Sequence, residues 1–101
     1  VGCLTWDGLD AYPDASRRQA EWGMALLSLG AAVENLMVAA ADNGLASCWV
    51  AAPIFCPEVA RDALELPRDW LPHALVLVGE GAAGPTRQRP QVPLDELRAF
   101  R

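Results

Sequence analysis

Residues 27–52 read LSLGAAVENLMVAAADNGLASCWVAA, and the change of pattern inside them decides the fold. Up to Asn43 the residues are small and apolar, with Leu26, Leu29, Val33, Leu36 and Ala40 at helical spacing. Ser28, Ala32, Asn35 and Ala39 make a second stripe of small residues, and Gly23 and Gly30 permit close approach of another backbone. A helix apolar nearly all round belongs in a core or an interface. Gly44 supplies the left-handed residue that stops it, so the pattern predicts a helix from about Glu21 to Asn43. Packing inside one monomer and packing against a second copy fit the pattern equally. Leu45–Ala52 then reads as a short extended segment with no acid, base or nucleophile except Cys48. Any chemistry there belongs to the backbone or to a group bound against it.

Working outward, Val1–Trp6 reads as a short strand and Asp7–Asp14 (DGLDAYPD) as a loop rich in turn formers. Asp14 or Ser16 is placed to cap the long helix. Downstream, Pro57 followed by Glu58 starts a helix through Leu66, which Pro67-Arg68-Asp69 breaks. HALVLVG, His73–Gly79, is a continuous apolar run, as expected of a strand covered on both faces. Residues 80–93 form an irregular Pro- and Gly-rich arm around Arg87 and Arg89, and LDELRAFR closes with one helical turn at most. No internal repeat or domain boundary interrupts the chain.

A chain of 101 residues makes one small domain, yet 52% of its residues are hydrophobic, with four Trp and eight Pro. That is more apolar material than so short a chain readily encloses, so tight association, or membership of a larger domain, is expected. Val1 in place of Met, and VGCLTW read as a strand in progress, favour a fragment. The net charge is −5 and every cation is Arg, which argues against nucleic acid and anionic membrane surfaces as partners. Cys3, Cys48 and Cys56 form no CxxC pair, His73 is the only histidine, and no metal site is expected. Trp22–Ala41 is apolar enough for a membrane span, but Glu34 and Asn35 lie inside it. A buried helix of a soluble, cytoplasmic protein is the expectation.

Among chemistry-bearing side chains, Asp7, Asp10 and Asp14 near Tyr12 read as a solvated loop. Cys48 reads as a buried structural thiol, and His73 as a satisfied histidine opening a strand. Glu34, on an apolar helix, must be paired or face water. Arg87 and Arg89 point the same way if the backbone between them is extended. Two such guanidiniums suit a phosphate, and a solvated tail fits them equally.

Combined, AYPDASRR (11–18), SLGAAVENLMVAAADNGLASCW (28–49), IFCPEVARDALELPRDW (54–70), ALVLVGEG (74–81) and RQRP (87–90) carry a resemblance. The chain resembles the C-terminal half of the FMN-dependent nitroreductase family. It is most similar there to the flavin domain that ends bacterial coenzyme F-420:L-glutamate ligase. The resemblance implies an α+β fold, with a mainly antiparallel sheet flanked by helices and a long central helix at a homodimer interface. It implies FMN held between subunits, with the backbone at Ala51 and Ala52 near the flavin N5, where family members commonly place Gly. Arg89, with Arg87 beside it, matches a basic residue that contacts the FMN phosphate. No catalytic side chain is implied, and Asp7–Arg18 would border the substrate mouth. The arginine-rich N-terminal stretch of the family is not in the sequence, so the fragment alone is expected to be inactive.

The function implied is reduction of an unsaturated deazaflavin (coenzyme F-420) precursor in cofactor biosynthesis, as part of a gamma-glutamyl ligase. Two alternatives stand beside it. One is a stand-alone NAD(P)H-dependent nitroreductase or quinone reductase, and the other is a non-catalytic flavin-binding or dimerisation module.

Overall fold

The computed structural model describes residues 1–82, 84 and 90–97. Its elements are β1 (Gly2–Leu4), a 3-10 turn (Trp6–Gly8), α1 (Ala15–Asp42), β2 (Ala46–Val50), α2 (Ala52–Phe55), α3 (Pro57–Ala63), β3 (Leu71–Gly79) and α4 (Leu94–Leu97). The strands form an antiparallel sheet in the order β1-β3-β2, so the fold is α+β. The two outer strands divide β3 between them. β1 pairs with Leu71–Ala74, and β2 pairs with Leu75–Gly79. Pro72 has no N–H to give a ladder, and opposite it the β1 register slips between Gly2 and Cys3.

β3 is two residues longer than the apolar run implies, because Leu71 and Pro72 join the ladder to β1. Pro72 and Ala74 are fully buried. The expectation of cover on both faces fails further along, where Leu77 and Val78 are exposed. β1 is too short to reach them, and α2 and α3 contribute the other packing on this strand.

α1 starts at Ala15, directly after Asp14, one of the two caps expected of it. Asp14 Oδ1 accepts from the Arg17 N–H at 2.9 Å, and its other oxygen pairs with the Arg17 guanidinium. The backbone donor, and then the guanidinium, hold the Asp14 carboxyl below its ordinary range. Twenty-eight residues give a helix ~42 Å long. At its end the Leu45 N–H reaches the Ala40 carbonyl at 2.9 Å and the Gly44 N–H reaches Ala41 at 3.0 Å, with Gly44 at φ 73°. This is the Schellman pattern, in which glycine takes the left-handed position. α3 ends the same way, with Leu66 bonding Arg61 at 3.0 Å, but Glu65 occupies the left-handed position at φ 51°.

α1 lies across β1 and β2. A Cβ on Gly2 would stand 2.9 Å from Leu29 Cδ1, and one on Gly30 3.9 Å from the Trp49 ring. The helix is not the buried element that its composition implies. Only 11% of its most apolar eighteen-residue window is buried, chiefly at Val33 and Ala40, while Leu27 is 77% exposed and Val38 58%. A three-stranded sheet covers one stripe of a helix, and the rest has no cover among the described residues. By length and composition α1 also meets the measure of a membrane-spanning helix. Cys48, expected to be buried, is exposed on β2, since it lies outside the face that α1 covers.

The paired caps give opposite expectations for the same chemistry. Gly44→Ala should destabilise by ~1 kcal/mol, and Glu65→Gly should stabilise by about as much, read from denaturant midpoints. Equal effects of one sign would contradict this. The depressed carboxyl of Asp14 stabilises α1 above the ordinary carboxylate range and loses that contribution as pH falls through its folded value. Between about pH 6 and about pH 2 the natural chain should therefore lose more stability than Asp14→Ser, whose cap does not titrate.

Candidate functional site

The site is built where β2 gives way to helix. Extended pairing stops at Val50, opposite Leu75. Pro53 follows within the first turn of α2, a position that suits its fixed φ and missing N–H. Ala51 therefore turns at φ −87°, ψ 3°, and Ala52 is the first helical residue, so the extended reading through Ala52 is two residues too long. Both alanines are exposed, while Pro53 is buried and anchors the turn. Ala51 carries no side chain able to cap the helix. Among the described residues no turn, loop or cap hydrogen bond takes the Ala52 N–H. On the other side, the Ala52 carbonyl accepts from the Cys56 N–H at 3.3 Å and from the Cys56 thiol at 3.3 Å. The arrangement is a turn of main chain anchored by buried Pro53, with the small side chains of Ala51 and Ala52 exposed on it.

Arg87 and Arg89 lie outside the described residues. The other candidates are placed apart. The thiol of Cys3, half-buried on β1, is pushed above its ordinary range by burial. Glu34 is exposed to water on α1. His73 is half-buried, with its Nδ1–H donating to the Leu71 carbonyl at 2.7 Å. Asp7 and Asp10 are exposed, and the Asp10 backbone N–H donates to Glu21 Oε1 at 3.5 Å. Arg17 sits 5.5 Å over the Tyr12 ring. Among the described residues no three His, Cys, Asp or Glu side chains converge as metal ligands.

Two features escaped the sequence reading. Trp6, Trp22 and His73 form an aromatic cluster between the 3-10 turn, α1 and β3, with Trp6 and Trp22 stacked at 4.4 Å. Sixteen residues separate the two indoles, so no local period signals their contact. Along α3 and the turn that follows it, Glu58, Asp62 and Glu65 share an open polar cleft with Arg61 and Arg68, and the Arg61 Nε–H also bonds the Trp70 carbonyl at 3.1 Å. Neither cluster includes Ala51 or Ala52.

The register fixes how the alanine turn and the aromatic cluster are related. β1 leaves β3 at Leu71, and β2 leaves it at Leu75, so the two features flank the same stretch of β3 from opposite edges. The bare turn and the indole pair therefore share one end of the sheet.

A family comparison adds to this geometry. The profile of the nitroreductase family matches residues 3–80. That span takes in β1 from Cys3 on, β2 and β3 whole, α1, and the β2–α2 turn. The α+β architecture with a long helix across an antiparallel sheet agrees with it. The chain belongs to the nitroreductase family, a family of flavin-dependent oxidoreductases.

Proposed function

We propose that this chain is part of an FMN-dependent oxidoreductase domain that works as a homodimer. The observation that carries the reading is the Val50–Pro53 turn, an uncapped helix start with exposed alanines in a segment that the family match covers. A flat ring edge with an acceptor atom fits there, since the methyl groups leave room and a backbone donor needs no side chain. Bound FMN would supply the hydride chemistry, and the protein the position and electrostatics. On this reading the Ala52 N–H, with Ala51 beside it, orients the ring at N5. Arg89, together with Arg87, holds the phosphate through charge-assisted bonds. No side chain of this chain is assigned a proton transfer.

The exposed apolar face of α1 supports the homodimer. Met24, Leu27 and Val38 share one exposed side of the helix, and burying such side chains in full is worth ~1.5–3 kcal/mol each. A second copy laid along α1 would remove that surface from water, which also explains why so apolar a chain folds around so small a core.

The reaction we infer is reduction of an unsaturated deazaflavin precursor, within a protein that also carries a gamma-glutamyl ligase activity. Its support is the run of likenesses from AYPDASRR to RQRP. The family assignment alone also accommodates a stand-alone NAD(P)H-dependent nitroreductase with broad acceptors. Turnover with a dehydro-deazaflavin against turnover with nitroaromatics or quinones distinguishes the two.

Variants of the binding residues test the flavin reading itself. Ala52→Leu, at an exposed position, should lower FMN affinity of the full-length protein at least about 10-fold with an unchanged unfolding midpoint. Arg89→Ala should weaken it by ~1.5–3 kcal/mol. Unchanged dissociation constants in both variants, read from flavin absorbance, would remove these residues from the site.

A further inference from the structure

The tryptophan pair at the head of α1 has no part in the flavin reading, and its surroundings are those of a second binding site. Ala15, Arg18, Gln19 and Trp22 follow at spacings of three and four, so they share one face of the first two turns of α1. Trp6 closes the far side, and the five residues line an open, mainly apolar depression of about 490 Å³. Trp6 and Trp22 lie 4.4 Å apart with their planes 22° from parallel. Trp22 in turn meets His73 at 5.7 Å, and the Leu71 carbonyl fixes that imidazole. The stack is thus held to β3 from one side, while Trp6 remains 55% exposed on the other. Rings already fixed in place give up little freedom when a ligand arrives.

Charge completes the argument. Arg17 is paired with Asp14, and Arg61 and Arg68 share their cleft with Glu58, Asp62 and Glu65. Arg18 is the remaining cation among the described residues, and no acid lines its depression. A guanidinium in no salt bridge with a described residue, set beside two indoles, selects one class of ligand.

We propose that this depression binds a planar conjugated ring bearing an anionic group, with the ring against the Trp6–Trp22 pair and the anion on the Arg18 guanidinium. Gln19 adds an amide donor at the rim. The inference goes beyond the flavin reading and does not depend on it, because binding here needs neither FMN nor turnover.

The test is a calorimetric titration of the full-length protein with naphthalene-2-carboxylate and with naphthalene-2-methanol, which has the same ring and no charge. The carboxylate should bind about 5- to 10-fold more tightly than the alcohol at low salt. Arg18→Gln should abolish that difference. Trp6→Ala should weaken both probes about 3- to 10-fold, with circular dichroism showing the fold intact. Equal affinity for the two probes, no binding of either, or full affinity in both variants would overturn the proposal. Flavin absorbance, read on the same variants, should not change. Failure of FMN binding in the natural protein would sink the flavin reading alone.

Discussion

The staggered pairing of β3 is the constraint on which the rest depends. It alone is bonded on both edges, to β1 over its first half and to β2 over its second. α2 and α3 pack on it, and α1 crosses the two strands that it joins. Pairing to β2 fixes where β2 must end, and Pro53 then forces the turn that exposes Ala51 and Ala52. Pairing to β1 places Trp6 at the same end of the sheet, where His73 steadies the indole stack. Both proposed binding surfaces follow from the register of one strand.

A second constraint is the lack of cover. Val33, Ala40 and Ala74 are the buried hydrophobic residues among those described. Three such residues make a meagre core against the conformational entropy of a folded chain. The outward leucines and valines of α1 are therefore the natural place for further stabilisation, and a second copy would provide it. On this account the helix serves stability and assembly together, while chemistry is left to main chain and a bound ring.

Much of the fold was legible in the sequence. The Asp14 cap, the Gly44 stop, the Pro57 start and the apolar run of β3 each rest on a local rule that nothing in the tertiary structure overrides. Burial was not legible. Composition shows that α1 and Cys48 are apolar, but only the size of the sheet decides which apolar residues find cover. The extent of β2 was misjudged because Ala51 and Ala52 have no strong preference, and Pro53 beyond them settles the matter. The candidate site was legible as a segment without side-chain chemistry, whereas its exposed turn depends on a backbone geometry that spacing does not encode. The Trp6–Trp22 contact spans a loop, and a local pattern carries no trace of it.

The most direct measurement of the central claim is hydrogen–deuterium exchange of the full-length protein with and without saturating FMN. The account predicts that the Ala52 amide exchanges more slowly when flavin is bound, and that peptides covering residues 46–56 carry the change. Tight flavin binding with unaltered exchange across those residues would contradict it.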